Sequence, residues 1–464
     1  METEAMDFDP GSGPPVQDGG SGLEETSLLQ ATRKYMIDLY LADKRPWVVA
    51  FSGGKDSTVL LQLVYEMLIE HKHSATKPVY VVSSDTRVEP PNIADYIERT
   101  TSCIEAHARS HHFPVHVRLV SPRPDESFWG KLIGKGYPSP TRWFRWCTSS
   151  MKIRPARRII DEIISEHGSV VLLLGTRRTE SSDRGKRMDA RQCSARKLNP
   201  HNEIPDALVA TPIAEWENEE VWEYLARYNP PPWGGDHGIM RDLYRQASGG
   251  ECPFILDLIA PSCGGTRFGC WTCTVVKVDR SMKGFITSGE TWMAPLHEFR
   301  DWLKVIREDP DMRSNKRRDG TVKPGQLGPF TPQARKQILE RLLQTEQDVG
   351  RQLITDQEID YIQRVWTKDY DLAETAIRLA ERFGRKVEAV EQVALPLREQ
   401  EILEELLAEY EISPELVKHL LYLVHDKYPS LEIWGAKAGL ERDVAEAIAK
   451  VVELDEQADL SDAI

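Results

Sequence analysis

No stretch of eighteen apolar residues occurs in this 464-residue chain, so the sequence offers no membrane-spanning helix and no membrane partner. The first 24 residues lack the basic and apolar regions of a signal peptide. They are acidic, rich in Gly, Pro and Ser, and read as a disordered lead-in. Positive charge is also short. Fifty-nine Lys and Arg face 73 Asp and Glu, and a net charge of −14 argues against a general nucleic-acid binder. Cysteine is scarce and odd in number: seven in a long chain fit no disulfide framework. They point to the cytoplasm, where thiols serve metals or catalysis. No internal repeat is evident. What remains, 40% hydrophobic and 28% charged, is the composition of an ordinary soluble protein long enough for two or three units.

Against these absences one run stands out, Trp47-Val48-Val49-Ala50-Phe51-Ser52-Gly53-Gly54-Lys55-Asp56-Ser57-Thr58. A buried strand feeding a Gly-rich turn and a helix N-terminus makes a phosphate cradle, because free backbone N–H groups converge on an anion. The turn fits neither the G-x-x-x-x-G-K-S/T loop nor the G-x-G-x-x-G fingerprint. It resembles the PP-loop of ATP pyrophosphatases, which split ATP into AMP and pyrophosphate. Ser52, Gly53, Gly54, Lys55, Asp56 and Ser57 are the expected ATP contacts, with Thr58 a further hydroxyl. Lys55 would neutralise phosphate charge and Asp56 hold Mg2+, both on a solvent-facing loop.

Strand and helix alternate over residues 46–176. Strands are expected at Trp47–Phe51, Pro78–Ser83, Val115–Val120 and Val170–Leu174, with helices at Thr58–Glu70, Asn92–Ser110 and Pro155–Glu166. This rhythm predicts an α/β fold with a doubly wound parallel sheet and ligands at the carboxyl ends of its strands. Ser52–Ser57, Ser83–Arg87 and Gly175–Arg178 should therefore converge. Asp85 and Arg87 would then contact nucleotide or metal, and Gly175, Arg177 and Arg178 phosphate. The expected organisation is a lead-in at 1–24, a nucleotide-binding domain at 25–232, a cysteine-rich segment at 233–330 and a helical domain at 331–464. Within the last, helices are expected at Ala334–Asp348, Asp356–Trp366, Asp371–Phe383, Leu397–Tyr410, Pro414–Lys427 and Glu441–Leu454. Basic charge concentrates between Arg142 and Lys197, where 14 Lys and Arg meet 6 Asp and Glu, and again at Arg313–Arg318. These stretches suit either a solvated face or a polyanionic substrate.

Cys252, Cys263, Cys270 and Cys273 form C-x10-C-x6-C-x2-C. Four thiolates within 22 residues can wrap one metal centre, and their spacing fits a structural zinc or an iron–sulfur cluster equally well. Cys147 stands apart in Arg142-Trp143-Phe144-Arg145-Trp146-Cys147-Thr148. Its arginines should lower the thiol pKa and favour a nucleophilic thiolate. Cys103, in the apolar stripe of a helix, and Cys193, in a basic loop, look structural or incidental.

Taken with Lys152-Ile153-Arg154-Pro155, Pro212–Trp216 and Val221–Leu225, the loop and the Cys147 segment resemble the phosphoadenosine-phosphosulfate reductase superfamily. Three stretches, Ser84–Glu89, Gly175–Ser181 and Arg267–Cys273, are similar to the DndC family of DNA phosphorothioation sulfurtransferases. The resemblance covers about residues 25–330. It implies an adenine nucleotide alpha hydrolase-like fold and an ATP pyrophosphatase that activates a DNA phosphate. It also implies a [4Fe–4S] cluster on Cys252, Cys263, Cys270 and Cys273, with a cysteine desulfurase and other subunits of the phosphorothioation complex as partners. The catalytic residues would be Lys55, Asp56 and Cys147, with sulfur delivered from a Cys147 persulfide or from the cluster. Sulfonucleotide reductases depart from the pattern: they carry a C-terminal catalytic cysteine, whereas no cysteine follows Cys273 here. A tRNA-thiolating enzyme would share the loop and the cluster, and a non-catalytic ATP-binding scaffold for the desulfurase would share the loop alone.

Overall fold

The computed structural model describes residues 26–180, 198–201, 203–248, 268–317, 321–322, 325–369, 371, 374–387 and 417. The expected lead-in, the helices at 397–410 and 441–454, the helix at 414–427 apart from residue 417, and Cys193, Cys252 and Cys263 all lie outside these residues. No helix among the described residues is long and apolar enough to cross a membrane.

Among the described residues six strands form one sheet: β1 (Trp47–Phe51), β2 (Val79–Ser84), β3 (Val115–Val120), β4 (Val170–Leu173), β5 (Asn199–Pro200) and β6 (Ala207–Ala210). Their order is β3-β2-β1-β4-β6-β5, all parallel except β5, which pairs antiparallel with β6. The architecture is the expected α/β sheet. Strands of such a sheet are buried on both faces, which is why they read as near-continuous apolar runs. Successive side chains point to opposite faces. Val48, Tyr80, Val82, Val120 and Leu172 pack with Ile163 of α4 (Arg154–His167). Trp47, Val49, Phe51, Val79, Val81 and Leu173 alternate with them and are all buried to within 2%. Chain order reverses at β1, which has β2 on one side and β4 on the other. A crevice for ligands is expected at the carboxyl ends of those strands.

The connections are helical: α1 (Ser27–Leu41) precedes β1, α2 (Lys55–Glu70) follows it, and α3 (Pro91–Ser110) joins β2 to β3. A helical turn at Trp146–Thr148 passes through a wider turn, Ser149–Ile153, into α4. Beyond the sheet come α5 (Asn218–Arg227), α6 (His237–Ala247) and α7 (Arg280–Thr287).

Backbone contacts divide the chain into two units. One is Met1–Pro122 with Arg142–His297; the other is Arg123–Thr141 with Glu298–Ile464. The second unit holds α8 (Pro332–Val349), α9 (Asp356–Lys368) and α10 (Thr375–Arg382). The segment 123–141 is built into it. Trp129 Nε1 donates to the Leu353 carbonyl at 2.7 Å, Trp366 Nε1 to that of Ile133 at 3.0 Å, and Arg335 Nη1 to that of Gly134 at 2.7 Å. Arg313, read from sequence as part of a basic cluster, is buried. Its Nε donates to the Gly328 carbonyl at 2.6 Å and its Nη1 to that of Arg307 at 2.6 Å, and burial lowers its pKa to about 10. It ties the backbone together and offers no charge to a polyanion.

Candidate active site

β1 delivers the chain at Phe51 into a turn that only glycine can make. Gly53 sits at φ +69°, and a Cβ there would lie 2.7 Å from Ile97 Cγ1. Gly54 is the extended residue before α2, with no side-chain cap, so the first-turn N–H groups face the mouth of the loop. The Lys55 N–H meets the Tyr244 hydroxyl at 3.4 Å, a contact from α6 that sequence spacing does not signal. Ser57 Oγ accepts from the Ser52 N–H at 3.2 Å and donates to the Gly54 carbonyl at 2.9 Å. Thr58 Oγ1 donates to the same carbonyl at 3.0 Å. These two hydroxyls therefore hold the loop in shape. A hydroxyl has one proton, so donation to a ligand would require release of Gly54.

Lys55 and Asp56 open the helix, so they do not lie on the solvent-facing loop expected from sequence, and Lys55 is only 7% exposed. Lys55 Nζ donates to both Asp56 oxygens, at 3.0 and 2.9 Å. Arg177 Nε donates to Asp56 Oδ1 at 2.6 Å, while its Nη1 reaches Thr179 Oγ1 and the Trp216 carbonyl, each at 3.3 Å. Arg177 is 3% exposed. Two fixed cations and one carboxylate leave a net positive charge beside a helix N-terminus, a setting that favours phosphate. Both Asp56 oxygens accept from cations, so a magnesium ion bound there must displace at least one. Gly175 allows the close approach: a Cβ at that position would lie 2.8 Å from the Asp56 carbonyl oxygen.

The remaining candidates divide. Arg178 Nε pairs with Glu215 at 2.7 Å in a largely exposed ion pair. Asp85 shapes its own turn, accepting from the Arg87 N–H at 2.8 Å and from Ser121 Oγ at 3.3 Å; Arg87 is left-handed, at φ +62°. Because Phe51 and Ser83 are register partners, this turn leaves the sheet next to the Gly-rich loop.

That same turn meets the cysteines. Thr86 gives its N–H and hydroxyl to the Glu89 carboxylate, at 3.0 and 2.5 Å. The Cys270 sulfur lies 3.8 Å from Thr86 Oγ1, and the Trp271 N–H donates to the Val88 carbonyl at 2.9 Å. Burial and then the Glu89 charge push the Cys270 thiol up to about 12. Cys147 does not stand apart in space. Its thiol is also pushed up, first by burial and then by Cys273, with Thr148 and Arg145 opposing. The thiolate expected from its arginines is thus disfavoured here, because desolvation outweighs their charge. Burial makes a negative charge costly on Cys147 and on Cys270, and both lie within reach of the Cys273 charge; a soft cation would relieve that cost. Among the described residues no group of three or more His, Cys, Asp or Glu is placed to hold a metal ion. Cys103 is exposed on α3, away from the apolar stripe expected for it.

Residues 46–276 match the phosphoadenosine phosphosulfate reductase domain. An uncharacterized protein of Methanocaldococcus jannaschii is 27% identical over 280 residues, 58% of this chain and 47% of that one. The chain thus spans about half the length of the curated relative it matches. Solved structures with partial likeness include phosphoadenylyl-sulfate reductase of Candida auris in a phosphate complex. It is 16% identical, covering 44% of this chain and 88% of that one, at a TM-score of 0.28. The U34-tRNA thiolase NcsA of Methanococcus maripaludis with its [4Fe–4S] cluster is 12% identical, covering 47% and 74%, at a TM-score of 0.27.

Proposed function

We propose that the phosphoadenosine phosphosulfate reductase domain carried by residues 46–276 serves as the ATP-cleaving sulfurtransferase of a DNA phosphorothioation system, the DndC role. The observation that carries this reading is the meeting of a phosphate cradle and a thiol cluster at neighbouring strand ends. Gly53, Gly54, Lys55 and Arg177 surround Asp56 after β1, while Thr86, Val88 and Glu89 after β2 hold the Cys270–Cys273 turn. A diester oxygen is a poor leaving group. Attack of a non-bridging DNA phosphate oxygen on the α-phosphorus of ATP would expel pyrophosphate and turn that oxygen into part of AMP. Lys55, Arg177 and the α2 N-terminus neutralise charge on the departing phosphates.

Sulfur must then reach the activated phosphorus. A Cys147 persulfide, charged by a cysteine desulfurase, attacks through its terminal sulfur. AMP leaves, and a Cys147–S–S–P linkage forms that a thiol reductant opens to thiol and phosphorothioate. Cys270 and Cys273, completed by Cys252 and Cys263, have the soft donor set that a [4Fe–4S] cluster takes. Such a cluster would supply a soft, sulfur-binding, redox-capable centre beside Cys147. The test supplies purified chain with ATP, desulfurase, cysteine, a thiol reductant and either DNA or tRNA. AMP, pyrophosphate and sulfur in DNA are expected. Sulfur appearing in tRNA alone, or reduction of a sulfonucleotide without ATP cleavage, defeats the reading.

A further inference from the structure

The segment Arg142–Thr148 sends its aromatic residues in opposite directions. Trp146 is buried at 9% exposure, whereas Trp143 is 92% exposed and Phe144 44%. The outward rings therefore do not reflect a segment without a core contact, since Trp146 anchors it. An indole left almost wholly in water, with a half-exposed phenyl ring beside it, marks a surface that something covers. The Arg142 guanidinium lies over the Trp143 ring, 5.9 Å from its centroid, and Arg145 is exposed beside it. One wide turn further on, Lys152, Ile153 and Arg154 are exposed as well. In a chain of net charge −14, Arg142–Ile160 holds six basic residues and no acidic one. Of these, Arg157 is engaged with Asp161 at 2.7 Å, and Arg154 and Arg158 have partners of their own, which leaves Arg142, Arg145 and Lys152 as the cations nearest the exposed ring.

We infer that this surface is where unpaired DNA docks, its bases stacked on Trp143 and Phe144 and its phosphates held by the neighbouring cations, which carries the backbone past Cys147. The inference rests on the DNA reading above and names the form in which DNA is taken. Charge decides the class of partner. Covering this many cations with a protein surface of ordinary charge would desolvate them, and interface cores are depleted in charge for that reason. A polyanion instead exchanges its counterions for them. Ring geometry decides the form: a duplex hides its base faces, and only unpaired nucleotides can lie on an exposed indole.

The test titrates a fluorescently labelled single-stranded oligodeoxynucleotide into the full chain, alongside its duplex and an RNA of the same sequence. It compares the wild type, Trp143→Ala and Trp143→Tyr. At a site this exposed the substitutions leave the fold intact, which thermal unfolding checks. Single-stranded DNA should bind tighter than duplex, Trp143→Ala should weaken it roughly tenfold, and Trp143→Tyr should recover most of the loss. Unchanged affinity in Trp143→Ala, a preference for RNA, or loss of desulfurase binding in place of DNA binding overturns the inference. Sulfur incorporation by the wild type is read in parallel. If it fails with every DNA, the function proposed above falls; if it proceeds while Trp143→Ala binds normally, only the docking surface falls.

Discussion

Arg177 Nε donates to Asp56 Oδ1 at 2.6 Å across 121 residues, tying the chain just beyond β4 to the first turn of α2. With Lys55 on the same carboxylate, three charged groups less than a fifth exposed form one unit at the mouth of the Gly-rich loop. The unit is built for electrostatics and for stability together, because removing the shared carboxylate leaves two buried cations uncompensated.

Asp56→Ala is therefore expected to cost about 2 kcal/mol in folding stability as well as activity, since it strands Lys55 and Arg177. Lys55→Ala removes one cation while Arg177 still faces Asp56, so it should be milder in stability. Pyrophosphate release should fall on the order of 100-fold or more in both. Chemical denaturation and an ATP-cleavage assay measure the two effects. Wild-type turnover in either variant excludes the loop as the reaction site.

Anaerobically purified protein should be brown, with about four irons per chain. Serine at Cys270 or Cys273 should bleach it, because an alcohol is a poor ligand for a soft metal. Cys147→Ser should keep iron and ATP cleavage but lose sulfur transfer to DNA. Loss of iron in that variant would make Cys147 a ligand, a result its nearness to Cys273 makes worth measuring first.

His237 gives a pH signature. It is buried, its Nε2 lies 2.6 Å from Gln62 Oε1, and Gln62 Nε2 donates to the Tyr228 carbonyl at 2.8 Å. Burial lowers its pKa from 6.5 to about 4, with Asp236 opposing. Below the ordinary value the unfolded chain binds a proton that the folded one refuses. The stabilising effect is thus whole above pH 6.5 and is lost as pH falls towards 4. Stability should drop on the order of 2 kcal/mol between pH 7 and pH 5 from this group, and His237→Gln should flatten that slope. An unchanged slope in the variant would assign the acid sensitivity to other groups.

β1 to β4 were legible in the sequence almost to the residue, because a strand buried on both faces must be apolar throughout and Gly or polar residues mark where burial ends. α2, α3 and α4 were legible from their helical period, and the Gly-rich turn from its composition. Each of these signals is local. The pairing of Arg177 with Asp56, the Tyr244 contact to Lys55 and the nearness of Cys147 to Cys273 join residues more than a hundred positions apart, and only strand order decides such meetings. Burial was decided there too. Arg145 beside Cys147 suggested a lowered thiol pKa, and the desolvation that reverses it exists only once the chain has packed around the sulfur. The same holds for Arg313, whose run of basic neighbours suggested a surface and whose carbonyl partners place it inside. The sequence by itself determined β1 to β4, the helices between them and the Gly-rich turn, while β5, β6, α6 and α7 carried no local signal strong enough to be read. The tertiary structure alone decided which charges face one another, because side-chain electrostatics depends on distance and dielectric, and neither is written along the chain.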